Sequence, residues 1–205
     1  MRIGPIVDGQ AELYSLPKLL PRIATPHTIL QPLYADIQPT APIPQIIRAV
    51  KSRLNIHVAR RADIALILID LEDLGTCAGA WAQELEHGLR EGCSGYGIND
   101  FKVVIKHRMF ENWLISDITA IRSLRRRFVL TEADVRQIEP NKADRVNAIR
   151  ILKSAAQRTS YDKVADATRI LTQADPMRMG ANSRSFRRLL RVVENPKYAR
   201  QSKKP

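Results

Sequence analysis

The sequence predicts an α/β protein: a mainly parallel sheet of about four strands with helices on both faces, followed by a helical, basic C-terminal part. The first observation is a pair of short apolar runs, residues 64–70 and 101–105, without alternation of apolar and polar side chains. Such runs are typical of strands buried on both faces of a parallel sheet. The second is that apolar runs alternate along the chain with segments of helical periodicity. The third is that no strand pattern follows residue 117, where basic residues accumulate.

The first 60 residues contain two predicted helices and two predicted strands. Residues 1–7 are predicted to form a strand with Ile3, Ile6 and Val7 as its apolar residues. Pro5 within it predicts an edge strand or a bulge, because proline cannot donate to a ladder. Apolar residues at helical spacing predict helices over 13–23 and 44–60. Five prolines make most of the segment between these helices a loop, with a short strand over 28–33.

The middle of the chain continues the same alternation. A strand over 64–70 is followed by a helix from 76 or 78 to 90, a strand over 101–105 and a short helix over 110–114. The glycine-rich loop over 92–97 lacks the Lys-Ser/Thr ending of a phosphate-binding loop, so we interpret it as a connection.

The last part of the chain is predicted to be helical, with helices over 142–157, 161–173 and 183–193. We therefore divide the chain into an α/β core of residues 1–117 and a helical, basic C-terminal region of residues 118–205 packed on that core.

The C-terminal region carries the excess positive charge. Residues 1–117 contain 12 Lys/Arg and 13 Asp/Glu, whereas residues 118–205 contain 21 and 8, a surplus of 13 positive charges. Such asymmetry predicts a polyanionic partner, above all nucleic acid held by its phosphates. Solvated helix faces with a basic tail over 201–205 are the alternative. The side chains expected at nucleic acid are Arg125, Arg126, Arg127, Arg187, Arg188 and Arg191.

Carboxylates follow three of the predicted strands. Asp8 follows the first strand, Asp70, Glu72 and Asp73 come at the end of the central one, and Glu111 follows the last. The C-terminal ends of parallel strands meet at one edge of a sheet, where open α/β sheets bind ligands. In an extended backbone Asp70 and Glu72 would point to the same side, and such oxygen ligands suit Mg²⁺ or Mn²⁺. A strand that ends in a solvated acidic turn is the alternative.

The cysteines and the lack of long apolar stretches bear on where in the cell the protein is expected to be. The two cysteines, Cys77 and Cys93, match no metal-ligand spacing and no disulfide framework. No apolar stretch approaches the length of a membrane span, and the N-terminus has no signal-peptide pattern. We therefore expect a cytoplasmic protein with reduced thiols and no membrane contact.

Three short motifs, in this order along the chain, resemble the Toprim-like domain-of-unknown-function family 4276. Ile3–Glu12 resembles the opening of that family, Phe110–Leu114 its Glu-x-Trp element and Ser183–Arg187 its C-terminal Ser-Phe element. The resemblance spans nearly the whole chain. It makes Lys163 a candidate for the family's C-terminal basic position. Lys163 and Arg184, which lies in the last motif, join the side chains expected at nucleic acid.

The resemblance implies a Toprim-like, Rossmann-like fold, as in topoisomerases, primases and nucleases of the overcoming-lysogenisation-defect type. In that fold, metal binds between an acid after the first strand and an Asp-x-Asp pair after a later strand. The resemblance also implies anti-phage defence and an ABC- or AAA-type ATPase partner. The chain departs from the family pattern at Asp8, where Glu is usual, at Gln10-Ala11, where His-Gly is frequent, and at Glu72, which replaces Asp. Each acidic change moves a carboxylate by about one methylene, which can weaken activity or favour Mn²⁺.

Our first hypothesis is a metal-dependent nuclease with a catalytic set of five acids. Asp8, Asp70 and Glu72 would hold one or two divalent ions, Mg²⁺ or Mn²⁺, and Glu12 or Glu111 would complete or orient the shell. The second hypothesis is a catalytically degenerate subunit that binds nucleic acid or a partner protein. A third, a small-molecule phosphotransfer or hydrolytic enzyme on a Rossmann-like sheet, has no phosphate-binding loop to support it.

Overall fold

A computed structural model describes residues 1–72 and 74–203 of the 205-residue chain. Asp73, one of the carboxylates at the central strand, and the end of the basic tail lie outside the described residues. The strands of the sheet are β1 (Arg2–Val7), β2 (Thr28–Ile29), β3 (Leu33–Tyr34), β4 (Ile64–Asp70) and β5 (Asp100–Lys106).

All of these strands pair in parallel. β1 lies between β4 on one side and the two short strands β2 and β3 on the other, and β5 pairs with β4. Because β2 and β3 occupy successive parts of the same side of β1, the sheet is four strands wide. The predicted α/β class with a mainly parallel sheet is confirmed.

Pro5 lies in a central strand, which corrects the expectation of an edge strand or a bulge. The carbonyls of Ile3 and Val7 accept hydrogen bonds from the residues that follow β2 and β3. Pro5 lies two residues from each of them, so its backbone groups point to the same side of β1. On that side Pro5 faces the gap between β2 and β3, where a backbone N–H would have no ladder partner. Its carbonyl accepts a hydrogen bond from Nε2 of the buried His57 at 2.9 Å. The proline therefore interrupts no ladder bond.

Helices connect the strands and form the C-terminal part. They are α1 (Gln10–Ser15), α2 (Leu20–Ile23), α3 (Ile43–Ala59), α4 (Ala78–Gly92), α5 (Glu111–Ile115), α6 (Ile118–Ser123), α7 (Glu132–Ile138), α8 (Ala148–Ala155), α9 (Ala165–Gln173), α10 (Pro176–Asn182), α11 (Arg184–Val192) and α12 (Ala199–Ser202). The helix predicted over 13–23 is split, because Pro17 and Pro21 start new turns and cannot donate to the preceding one.

The helices cover both faces of the sheet. Side chains alternate between the faces along each strand. Leu66 and Leu68 of β4 pack into a core shared with α1, α2 and the C-terminal helices, whereas Ile67 and Ile69 pack against α3 and α4. Burial on both faces explains why this strand is an uninterrupted apolar run.

The C-terminal helices are shorter than the sequence pattern predicted. The predicted helix over 142–157 begins only after Asn147, whose side chain caps α8 by accepting from the Arg150 N–H at 3.0 Å. Asp162 accepts from the N–H groups of Val164 and Ala165, so α9 likewise begins later than residue 161. Asn and Asp favour such caps because their side chains replace the missing partners of the first helical N–H groups.

Candidate metal centre

The chain reverses direction across the sheet at β1. From β1 it runs through α1 and α2 to β2 and β3 on one side, and from β3 it crosses through α3 to β4 on the other side. Connections that leave in opposite directions open a crevice at the C-terminal ends of the two adjacent strands, and open α/β sheets bind ligands there. The crevice of this protein lies between the ends of β1 and β4. Asp8 follows β1 and Asp70 ends β4.

Three carboxylates meet in this crevice. Oxygen atoms of Asp8, Glu12 and Asp70 lie within 4.8 Å of one another. Asp8 Oδ2 accepts a hydrogen bond from the Asp70 backbone N–H at 2.7 Å, which ties the end of β4 to the first acid. Gly9 leaves room for the third, because a Cβ atom at position 9 would overlap Glu12 Oε2. The predicted convergence of Asp8 and Asp70 is therefore present, and Glu12 of α1 joins it.

A buried lysine, which sequence reasoning missed, lies among the three acids. Lys106 Nζ is 2.6 Å from Asp8 Oδ1 and 3.0 Å from Asp70 Oδ1, and it also donates to Glu12 Oε1. Its side chain is 0% exposed. Lys106 is the last residue of β5 and pairs with Asp70, the last residue of β4. The acids and the lysine therefore lie at the same edge of the sheet. The run FKVVIK already ended in this lysine, but only the register shows that it lies beside Asp70.

The ionisation of the cluster reflects burial and mutual repulsion. Burial raises the pKa of Glu12, against the lowering effect of Lys106, and the nearby Asp8 raises it further. Burial likewise holds the pKa of Asp70 well above its usual value, with Asp8 and Glu12 adding to the effect and Lys106 opposing it. Burial alone would lower the pKa of Lys106, but the three carboxylates raise it well above the ordinary value. The lysine is therefore charged, and Glu12 and Asp70 hold protons more tightly than exposed carboxyls.

Glu72 does not join the cluster, although the sequence suggested it as a metal ligand. The strand ends at Asp70, and Glu72 adopts a left-handed conformation with φ of 52°. Its backbone N–H donates to the Arg108 carbonyl at 2.6 Å. The two-residue alternation of an extended strand therefore does not reach Glu72, and Glu12 takes the third place among the described acids that meet.

Asp70 also borders a small cleft outside the cluster. The cleft has a volume of about 200 Å³, and Asp70 keeps 21% of its side chain exposed. Glu72 and Glu111 therefore lie beside the acid cluster, on the side that faces the cleft. The residues that line the cleft are Asp70, Glu72, Arg108, Met109, Glu111, Ile149 and Lys163.

The chemistry of the cluster fits a hard divalent cation. All of its acidic ligands are carboxylate oxygens, the type that Mg²⁺ and Mn²⁺ prefer. Asp70 Oδ1 is paired with Lys106 Nζ at 3.0 Å, and Asp70 also borders the cleft. When all three acids are ionised, the single positive charge of Lys106 balances only part of their negative charge, and the remainder favours a further cation.

The motifs at Phe110–Leu114 and Ser183–Arg187 meet in the core beside the cleft. Trp113 Nε1 donates to Ser185 Oγ at 2.7 Å, and its ring lies edge-on against Phe186 at 5.4 Å between centroids. Asp144 accepts from the backbone N–H of Ser185 at 2.8 Å and from two serine hydroxyls. This network fixes α5, which begins at Glu111, against the start of α11.

Two of the arginines expected at nucleic acid are used inside the protein. Arg127 Nε donates to Asp166 at 2.8 Å, and the same guanidinium donates to three carbonyls in the loop before α9. Arg187 is 2% exposed and donates to Asn141 Oδ1 and to the Gly180 carbonyl, each at 2.9 Å. The expectation that Arg127 and Arg187 contact nucleic acid is therefore corrected: both stabilise the C-terminal fold. Neither the basic run at Arg127 nor the helical periodicity around Arg187 showed which arginines face inward.

The other basic residues expected at nucleic acid lie at or near the surface in three separate parts of the chain. Arg188 lies 3.8 Å from Glu86 of α4, and Lys163 lies 3.8 Å from Glu111 at the cleft. The set is Arg125 and Arg126 after α6, Lys163 before α9, and Arg184, Arg188 and Arg191 on α11.

Mn²⁺ binding is expected to weaken as the pH falls. The raised pKa values of Glu12 and Asp70 let protons compete with the ion at pH values where exposed carboxyls are already ionised. The same shift makes the metal-free protein lose stability as the pH rises through these raised values, because folding favours the protonated acids. Calorimetry at several pH values should show tighter binding at higher pH and proton release on binding. An affinity that does not change with pH would contradict the assignment.

The comparisons with known proteins identify the family. The model of the family described as Domain of unknown function (DUF4276) matches residues 7–194, and the chain belongs to this family. No curated protein and no solved structure matches the chain significantly. Among residues 1–72 and 74–203, no helix combines the length and the apolar character that a membrane crossing requires.

Proposed function

We propose that this member of the DUF4276 family is a metal-dependent nuclease in which Asp8, Glu12 and Asp70 hold Mg²⁺ or Mn²⁺. The observation that carries the proposal is the convergence of these three carboxylates at the switch point of the sheet, beside a cleft that Asp70 lines. Phosphodiester hydrolysis is the reaction class that such a centre supports best. The resemblance to Toprim nucleases adds to this argument.

The cleft supplies the other groups that the reaction needs. A bound divalent ion neutralises charge that develops on the phosphate and lowers the pKa of a coordinated water. Lys106 holds the carboxylates in place from the buried side. Glu72 and Glu111 line the cleft, where a carboxylate can accept the proton of the attacking water. Lys163 lines the same cleft and is placed to attract a phosphate.

Nucleic acid is the substrate class that the charge distribution favours. Residues 118–205 carry a surplus of 13 positive charges over Asp and Glu, and Arg125, Arg126 and Arg184 are exposed among them. Phosphate contacts of this kind hold a strand without reading its sequence.

We also propose a cytoplasmic location and a partner protein. The two cysteines, Cys77 and Cys93, are unpaired thiols, which fits the reducing cytoplasm. By resemblance to Toprim-like defence nucleases, we propose that an ABC- or AAA-type ATPase is the partner and that the pair acts against phage.

A second candidate function is a catalytically degenerate subunit that binds nucleic acid or a partner protein. The observation that favours it is the ammonium group of Lys106, which lies among the three acids where a cation would bind. In that case the lysine would replace the metal, and the cluster would stabilise the fold only.

A cleavage assay separates the two candidates. The purified chain is incubated with labelled single-stranded DNA, duplex DNA and RNA, with Mn²⁺ or with excess chelator. The proposal predicts cleavage that requires Mn²⁺ and is lost in Asp70→Asn, and that is kept in Asp100→Asn. Asp100 is the matched control because it lies at the opposite end of β5 with 44% of its side chain exposed. Nucleic-acid binding without Mn²⁺ binding or cleavage would contradict the nuclease and support the binding subunit.

A further inference from the structure

Lys106 is a fixed cation inside the acid cluster. Its backbone belongs to the last residue of β5, whose pairing with β4 extends to this position. Its side chain is 0% exposed, and its ammonium group lies 5.9 Å from the centre of the Phe110 ring. Moving the ammonium out of the cluster would separate a buried charge from its three counter-charges, which is strongly unfavourable. The amino group therefore stays with its carboxylates.

We propose that Lys106 is the built-in second cation of the centre, so that the protein binds one divalent ion where two-metal phosphodiesterases bind two. Two-metal centres hold their ions about 3.5–4 Å apart between shared carboxylates. In this protein the space shared by Asp8 and Glu12 is occupied by the ammonium group, which contacts both. Lys106 is thus a positioning residue that orients the ligands of a single ion. This inference rests on the proposed function.

The charges of the centre agree with one ion. With all acids ionised, Asp8, Glu12 and Asp70 carry three negative charges and Lys106 carries one positive charge, so a single divalent ion balances the cluster. The two further acids that line the cleft are matched by two basic residues there and leave this balance unchanged. A second divalent ion would leave an excess positive charge in a buried site, which is strongly unfavourable.

The hydrogen bonds of the cluster indicate the side on which the ion binds. Asp8 uses one oxygen for Lys106 and the other for the Asp70 backbone N–H. Glu12 Oε1 accepts from Lys106. Asp70 borders the cleft and keeps 21% of its side chain exposed, whereas the side chains of Asp8 and Glu12 are only 6% and 4% exposed. The single ion therefore binds at Asp70, on the side that faces the cleft.

The number of bound Mn²⁺ ions tests the proposal directly. Calorimetry on the full chain should give one ion per chain, and the electron paramagnetic resonance spectrum should be that of an isolated Mn²⁺ ion. Lys106→Met, which keeps the length of the side chain but removes the charge, should bind two ions and give the spectrum of an exchange-coupled pair. Lys102→Met is the matched control, because Lys102 lies near the other end of β5 with 36% of its side chain exposed; it should bind one ion.

The number of bound ions separates a failure of the Lys106 proposal from a failure of the proposed function. Two coupled ions in the unaltered chain would overturn the proposal while leaving a metal-dependent nuclease intact, and this measurement does not depend on whether Lys106→Met folds. One ion in both the unaltered chain and a folded Lys106→Met would show that the ammonium does not occupy the place of a metal. No bound ion in the unaltered chain would contradict the metal centre itself and with it the proposed function.

Discussion

Lys106→Met is expected to lower the free energy of unfolding of the metal-free protein by about 3–5 kcal/mol, the range found when one partner of a buried ion pair is removed. The reason is that the methionine leaves Asp8, Glu12 and Asp70 together in a buried crevice without their cation. Urea denaturation at neutral pH measures the change. The matched control Lys102→Met should change the free energy of unfolding by no more than about 0.5 kcal/mol, as is usual at exposed positions.

The pH dependence of the same variant identifies the cause. Without Lys106 the pKa values of Glu12 and Asp70 in the folded state should rise further above their values in the unfolded chain, because Lys106 lowers both. An acid of this kind favours folding below its unfolded pKa, and that contribution is lost as the pH rises through its folded pKa. The difference between Lys106→Met and the unaltered chain should therefore shrink as the pH falls towards about 4, the ordinary carboxyl value. An equal loss of stability at all pH values would indicate a packing defect instead.

Asp70→Asn is expected to weaken Mn²⁺ binding by at least about 100-fold, because mutation of mere partners of metal ligands already costs 10–100-fold. The protein should stay folded. Burial raises the pKa of Asp70 in spite of the lysine, so the charged carboxylate opposes folding and a neutral amide should leave stability equal or higher. Calorimetry measures the affinity and urea denaturation the stability.

Asp100→Asn is again the control for this change, since it removes a carboxylate from the same sheet at its opposite edge. It should leave Mn²⁺ binding unaltered. Unchanged affinity in Asp70→Asn, or its unfolding, would mean that Asp70 serves the fold rather than the metal.

The strands could be predicted because their sequence signal is local. The apolar runs at 64–70 and 101–105 predict strands that are covered on both faces of the sheet. The structure has β4 and β5 at these positions. Pro5 misled the prediction because its effect depends on what lies opposite. A proline is harmless in a central strand when the neighbouring edge is interrupted at that point, as it is between β2 and β3.

The candidate site was predictable only in part, for the same reason. Asp8 and Asp70 follow from strand ends, which a sequence shows. Glu12 replaces Glu72 because α1 folds back over Gly9 while the chain turns sharply after Asp70. The spacing of residues along the chain does not show where the chain turns, so it could not predict which of Glu12 and Glu72 joins the cluster.

The partners of the charged side chains were the hardest feature to predict from the sequence. The sequence showed a basic C-terminal region, but it could not show that Arg127 and Arg187 make internal hydrogen bonds. Nor could it show that Lys106, in the half of the chain with almost no net charge, lies at the centre of the acids. Register across strands decides such pairings.

Anomalous diffraction from a crystal grown with Mn²⁺ tests the central claim most directly. We predict a single anomalous peak in contact with the carboxylate oxygens of Asp70, next to Asp8 and Glu12, with Lys106 Nζ still bonded to Asp8. An acid cluster without a peak at saturating Mn²⁺, held together by Lys106 alone, would contradict the metal centre.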